Sequence, residues 1–446
     1  MSVPPFLLLL AAGSGPVGGE PVVPAAPSSV QDESHGLLPL LEYGGELATR
    51  SYLSGDWGKR RSELARDGWR FDLAYTQSLF GVLDGGKDED WRYGGKLDAL
   101  FNADLDRMGV MPGALVTLRT ESRYGRSINS IAGTLLPVDD ALFFPLTDEP
   151  DEDIPITVTE LRYTQFLSKQ FGVFLGKFVV LGGDANEFAG GRGDTQFISH
   201  AFTSASVTAL INPYSTLGLG VLVMPDPRLT FSSSLYSSAD SSTTTGFDDL
   251  DEGWVSSTSV RSQYRLGGKP GGMMLTGQYG FDNAFVDFSG QFVGQGGVTL
   301  PRTDDTWNVF WNGWQYLSVE ESSDKPIDIA DGRADRQGYG LFARCAVADA
   351  DTNPVDFVAS GGLAGRGMFA GRDEDTFGLG YGFSHLHEQA FVTGSVLDER
   401  TNRFEAYYSF ALTPAAELSV HAQYADQLLE SFDPATILGL RLRVQF

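Results

Sequence analysis

From Trp69 to its last residue the chain alternates apolar and polar side chains, segment after segment, with arginines repeatedly on the polar side. In the closing "ILGLRLRVQF", Leu438, Leu440, Leu442, Val444 and Phe446 fall on one face of an extended strand, and Gly439, Arg441, Arg443 and Gln445 on the other. Strand side chains point to opposite faces with period two, so each such segment is oily on one side and wet on the other. "WRFDLAYT" sets Trp69, Phe71, Leu73 and Tyr75 against Arg70, Asp72, Ala74 and Thr76. "KLDALFNADL" sets Leu97, Ala99, Phe101, Ala103 and Leu105 against Lys96, Asp98, Asn102 and Asp104, with Leu100 the one breach.

Sixteen such segments are predicted, starting near residues 69, 92, 113, 156, 171, 214, 228, 255, 271, 304, 336, 355, 374, 402, 416 and 436. An open sheet of that many strands would leave two long unpaired edges, whereas closure removes them. An even count suits an antiparallel barrel with both chain ends on one rim. The fold class expected is therefore all-β, a transmembrane antiparallel β-barrel of about sixteen strands preceded by one short N-terminal helix. Tight turns are expected on one rim, and long acidic loops such as "DGGKDED", "LTDEPDEDIP", "DDLDEG" and "EESSDKPIDIADGRADR" on the other. Composition agrees: 54 Gly and 12% aromatic residues suit many strands joined by turns. In "WNVFWNGWQY", Trp307 and Trp311 share a face near a strand end, with Trp314 and Tyr316 beyond, as at a membrane interface.

Residues 1–19 read as a signal peptide built on the apolar run Phe6–Ala12, although "MSVPP" supplies no positive charge. That run is too short for a spanning helix. The Pro-, Ser- and Ala-rich stretch 20–53 reads as a disordered leader, and 54–68 as a short helix started by Ser54 or Asp56 and ended by Gly68. The barrel then occupies 69–446. A net charge of −26 argues against nucleic acid as a partner. The acidic loops are solvated or bridge through divalent cations to lipopolysaccharide of the outer leaflet. Cys345 stands alone as a small apolar strand residue.

With the apolar faces toward lipid, the charges must look into a hydrated lumen. Thr117, Arg119, Glu121 and Arg123 share one face of "ALVTLRTESRYGR"; Glu160 and Arg162 extend this row, and Arg441 and Arg443 belong to the last strand. Guanidinium donors beside carboxylate acceptors can exchange hydrogen bonds with the hydroxyls of a polyol. A mixed ring suits neutral solutes, whereas a ring of one sign selects by charge. Of the five histidines, His421 points to the lumen face, and His385 and His387 share a strand face. No nucleophile motif accompanies them, so no catalytic residue, metal site or cofactor is assigned.

The chain from about Ser54 to Phe446 resembles the carbohydrate-selective outer-membrane porins of the OprB type. The resemblance is carried by "SGDWGKRRSELARDGWRFDLAYT", "GKFVVLGGDANEFAGGRGDTQF", "GYGLFARCAVADADTNPVDFVASGGLAGRGMFAGRDEDTFGLGYGF", "FEAYYSFALTPAAELSVHAQY" and "ILGLRLRVQF". It implies a barrel passing sugars by diffusion through a constriction lined with Arg and Glu, the lumen roles falling to Arg119, Glu121, Arg123, Glu160 and Arg162. Lys177 and Arg192 also match family stretches, and Phe446 resembles the signal by which the barrel assembly machinery takes up such proteins. The Gly-rich "GDANEFAGGRGDTQF" either folds into the pore or lies outside it. "KFVVLGGD" is more apolar than the family pattern at that position. The sugar and the oligomeric state, monomer or homo-oligomer, are left open. A general solute porin, an outer-membrane hydrolase and a soluble sugar-binding β-protein are the competing classes. Fractionation separates the last of these: the chain is expected in the membrane pellet, released by detergent and not by buffer.

Overall fold

The structure, a computed structural model, describes residues 36–145, 153–182, 184–287, 292–294, 297–299, 301–320, 336–387, 399–427 and 432–446. Residues 1–35, which include the expected signal peptide, lie outside them. Sixteen strands form one closed antiparallel barrel in chain order. They are β1 Trp69–Asp84, β2 Trp91–Asp104, β3 Ala114–Gly125, β4 Ile154–Phe166, β5 Phe171–Val179, β6 Ser215–Asp226, β7 Leu229–Ser237, β8 Trp254–Leu266, β9 Lys269–Phe281, β10 Thr306–Val319, β11 Gly338–Ala348, β12 Val355–Arg366, β13 Thr376–Leu386, β14 Arg400–Thr413, β15 Ala416–Ala425 and β16 Ala435–Gln445. Closure comes from β1 pairing with β16, which sets Ser78 opposite Arg441 and Thr76 opposite Arg443.

Burial is inverted relative to a water-soluble protein. Leu161, Leu175 and Leu219 are each more than half exposed on the outside, while Arg119 is 0% and Arg441 1% exposed on the inside. Only a lipid exterior and a polar interior make this arrangement favourable, because the closed ladder already satisfies the backbone. Gln77 is an outward-facing amide, and it donates to the hydroxyls of Tyr75 and Tyr93 at 2.6 Å each, so it meets lipid with partners.

The rim that carries both barrel ends has tight connections at 167–170, 227–228, 267–268 and 414–415, and the opposite rim has the long ones at 126–153, 180–214, 238–253 and 282–305. One expectation fails here. The acidic connection 320–337 joins β10 to β11 and so lies on the rim of tight turns, because parity along the barrel fixes the rim whatever the loop length. Residues 321–335 of it lie outside the described residues.

The leader also departs from expectation over residues 36–53. Its composition predicts disorder, yet Leu37 and Leu38 are buried among the inward-facing Leu115, Phe166, Leu222 and Met224 at the terminus-side rim. The carboxylate of Asp104 accepts the amides of Leu37 at 2.6 Å and Leu38 at 2.8 Å. Such a segment has no periodic face of its own; it orders by inserting two leucines into an apolar pocket that the lumen wall supplies. The short helix is a 3-10 turn at Trp57–Lys59 followed by an α-helix at Arg60–Arg66, with Asp56 Oδ1 accepting the Ser62 amide at 2.8 Å. Gly68 follows at φ 97°, a left-handed conformation that favours glycine. Arg61 fastens this unit. Its guanidinium lies 4.1 Å from the Tyr43 ring centroid and 4.3 Å from that of Tyr52, and it donates to the carbonyl of Phe446 at 3.0 Å.

Asp104→Ala leaves buried amides without an acceptor, at a cost on the order of 1–3 kcal/mol. Faster tryptic cleavage at Arg50 is expected, with the barrel's heat-modifiable gel mobility retained. Unchanged protection of Arg50 would exclude Asp104 as the anchor of the leader.

Candidate functional site

Two long connections turn inward and cross the lumen. In the first, 126–145, the carbonyls of Leu136 and Pro137 accept from Arg403 at 2.9 and 3.0 Å, and that of Val138 accepts from Gln423 at 2.8 Å. Arg123 of β3 donates to the carbonyl of Phe143 at 2.9 Å. In the second, 180–214, Glu405 of β14 accepts the amides of Ile198 and Ser199 at 2.9 Å each, and His421 Nδ1 lies 2.9 Å from the same carboxylate. Arg344 of β11 donates to Asp184 at 2.7 Å, and Arg441 of β16 to the carbonyl of Gln196 at 2.9 Å. Phe188 packs against Trp314 and Tyr316, and Phe197 against Phe342 and Tyr407. The Gly-rich stretch left open by its sequence thus lies inside the barrel. Its glycines permit the close approach: a Cβ on Gly193, whose φ is +79°, would stand 2.7 Å from the Ala141 amide nitrogen.

This second segment brings Arg192 against the wall of β2 and β3. Its guanidinium donates to Glu121 Oε1 at 2.8 Å and pairs with Asp98, and the Tyr214 hydroxyl donates to the same Glu121 carboxylate at 2.8 Å. Lys96 Nζ lies 3.2 Å from Asp194 Oδ1. Arg119 stands opposite Glu160 in the β3–β4 ladder, and Arg162 pairs with Glu160 at 3.1 Å. All of these side chains are buried. The Arg119 guanidinium nitrogens have no hydrogen-bond partner among the described residues, and the nearest carboxylate oxygen, Asp98 Oδ1, is 3.5 Å from Nε.

The facing of Glu160 depends on a bulge. Register slips between Arg119/Glu160 and Thr120/Val158, so Thr159 is extra, Ile156 and Val158 turn outward, and Glu160 stays inside. Burial works against the charge of Arg192, but Glu121 and then Asp98 and Asp194 outweigh it and hold the guanidinium well above its ordinary pKa. Burial likewise opposes the charge of Asp194, yet Lys96, Arg192 and Arg443 bring its pKa below the usual carboxylate value.

Of the residues singled out from sequence, Arg119, Glu121, Glu160, Arg162 and Arg192 meet in this cluster. Arg123 and Arg441 hold the inward segments, and Arg443 lies beside them, 2% exposed. Lys177 does not join. It pairs in the ladder with Leu161 and Leu217, on the outward parity, and its ammonium donates to the Thr244 carbonyl at 2.7 Å, tying down the 238–253 connection. Sequence reasoning passed over Lys96 and Asp98, although both stand on the polar face of β2. Asp194 and Tyr214 lie in irregular stretches without a period to reveal them.

The family model for the carbohydrate-selective porins, OprB family, matches residues 88–446. The chain belongs to that family. It is 23% identical over 434 residues to Porin B of Pseudomonas aeruginosa, covering 89% of this chain and 91% of that protein. The high-pH structure of OprB from Pseudomonas putida matches at TM-score 0.76 and 20% identity, over 90% of this chain and all of that one. The low-pH structure of the same protein matches at TM-score 0.57 and 18% identity, over 90% and 99%. Membership of this porin family assigns the barrel to the outer membrane and to carbohydrate passage, with the short-turn rim on the periplasmic side.

Other polar groups in this porin's lumen hold structure. Asp140 Oδ1 lies 2.9 Å from His200 Nδ1, and His200 Nε2 lies 3.1 Å from Ser204 Oγ, so an acid–imidazole–hydroxyl chain joins the two inward segments. His385 and His387 both approach Asp356, at 2.6 and 3.7 Å, without a group of three metal-ligating residues among the described residues.

Asp139, on the first inward segment, is pushed by burial up to about 7; the Leu142 amide pulls the other way and the neighbouring Asp140 adds to the rise. A carboxyl raised from its unfolded value of 3.8 favours the folded state when protonated, so its penalty grows as pH climbs from about 4 and is complete above about 7. Asp139→Asn stays neutral. Its gain in unfolding temperature over the parent, read by gel mobility, is expected to grow from pH 5 to pH 8. A gain that is constant over this range would show that Asp139 does not titrate there.

Proposed function

We propose that this porin passes neutral, hydroxylated solutes of monosaccharide size by passive diffusion, with the cluster around Arg119 as the selecting constriction, and that it catalyses no reaction. The observation that carries the reading is a buried, charge-balanced set: Lys96, Arg119, Arg162 and Arg192 face Asp98, Glu121, Glu160 and Asp194. Such a set excludes neither sign strongly and offers both donors and acceptors. The Arg119 guanidinium has no hydrogen-bond partner among the described residues, so a sugar hydroxyl oxygen that reaches it accepts a hydrogen bond without an existing one being broken. The buried Asp140–His200–Ser204 chain is read as a fastening, since both Asp140 oxygens are occupied within the protein by His200 and Thr203. Phe446, whose amide donates to the Leu73 carbonyl at 2.8 Å on the periplasmic rim, is assigned as the assembly signal.

In planar bilayers the purified protein is expected to conduct ions, and millimolar monosaccharide to reduce the current. A charged hydrogen bond is worth about 1.5–3 kcal/mol, so Arg119→Ala should weaken sugar block by roughly tenfold or more while raising conductance. Current unaffected by any sugar would leave a general pore and remove the selectivity. Loss of assembly in Arg119→Ala would instead make Arg119 a structural residue.

A further inference from the structure

On the lipid side of the periplasmic rim, the helical unit does not lie flat on the barrel. It borders a cavity of about 300 Å³ lined mainly by Trp57, Phe71, Leu73, Ala99, Phe101 and Phe446, its charged lining being Arg61 and Asp72, which lie 3.7 Å apart and offset one another. Phe71, Leu73, Ala99 and Phe101 belong to the outward faces of β1 and β2, and Phe71 meets Phe101 edge-on at 5.5 Å. Phe71 is two residues into β1 and Phe101 three from the end of β2, so the cavity sits on the order of 5–10 Å inside the rim, where acyl chains begin. Trp57 on the helical unit and Trp69 at the start of β1 are 48% and 44% exposed, the placement of tryptophans at a headgroup boundary.

Charge points the same way. Residues 50–66 carry five basic side chains, Arg50, Lys59, Arg60, Arg61 and Arg66, against two acidic ones, Asp56 and Glu63, within a chain of net charge −26. The side chains of Lys59, Arg60 and Arg66 are exposed.

We infer that the N-terminal helical unit and the outer wall of β1–β2 form a binding site for one anionic phospholipid of the periplasmic leaflet. An acyl chain fills the cavity between Trp57, Phe71 and Phe101, and the phosphate is held by Lys59 and Arg60. Two elements make the site, a largely apolar cavity for an acyl chain and cations that favour a net-negative headgroup; a free phosphate lacks the chain, and a zwitterionic lipid brings a cationic group that offsets its phosphate. Occupancy closes the gap between the helical unit and the barrel beside Phe446, so the lipid also steadies the seam where β1 meets β16.

Native mass spectrometry of the full-length protein tests this, after delipidation and incubation with phosphatidylglycerol, with phosphatidylcholine or with inorganic phosphate. Retention of one phosphatidylglycerol in preference to phosphatidylcholine is expected, with no displacement by phosphate. Each basic residue near an anionic lipid contributes roughly fivefold in affinity, so K59Q/R60Q should lose about 25-fold of phosphatidylglycerol retention and leave phosphatidylcholine unchanged. Ala99→Trp, which fills the cavity from the wall, should abolish retention of both. Should Ala99→Trp fail to assemble, K59Q/R60Q still decides, because both its positions are exposed. Equal retention of the two lipids, no effect of K59Q/R60Q, or displacement by inorganic phosphate each overturns the site. Sugar block of the current, measured on the same variants, is expected to persist, which keeps this test separate from that of the constriction.

Discussion

A hydrocarbon surround leaves no water for backbone amides and no tolerance for charge, and the whole molecule follows from meeting both demands at once. Pairing β1 with β16 satisfies the backbone without an edge. Period-two alternation then turns leucines such as Leu161, Leu175 and Leu219 outward and Arg119, Arg441 and Arg443 inward. Arg119, Arg441 and Arg443, each at most 2% exposed, are fully buried charges that would be prohibitive on the lipid face. Inside, they have a polar wall and two inserted segments to bind.

Those segments narrow a wide cylinder. Wall residues from opposite sides of the barrel, Arg123 and Arg344, Glu405 and Arg441, reach in and hold backbone groups of 126–145 and 180–214. Much of this wall charge therefore positions the inward segments, and Arg192 gathers a smaller set of carboxylates around it. The division matters for interpreting substitutions: a change at a loop anchor acts on the segment it holds, whereas the proposed constriction makes Arg119 a test of chemistry.

Filling of the lumen extends to the periplasmic mouth. Leu37 and Leu38 occupy the apolar inward ends of β3, β4 and β6, and Asp104 holds their amides. Arg61 then stacks on Tyr43 and Tyr52 and reaches the carbonyl of Phe446, so the segment before β1 is tied to the end of β16. The leader and the barrel seam form one unit there.

Alternation alone carried the barrel, its strand number and the inward facing of Arg119, Glu121 and Arg123, because side-chain parity along a strand is a local property that lipid on one side makes binding. It carried them even at 171 and 355, where glycines blur the phase. It did not carry the partners. Glu160 faces Arg119 only through the extra residue at Thr159, and Lys177 turns away because the register of β5 places it beside Leu161. Arg192, Asp194 and Tyr214 come from irregular chain, where spacing gives no direction. Their roles were fixed only when long-range contacts with Phe342, Tyr407 and Glu405 folded the segment across the lumen. The sequence by itself determined which face of each strand meets lipid. Tertiary structure decided which charges meet one another, since that depends on bulges, register and loop closure over tens to hundreds of residues.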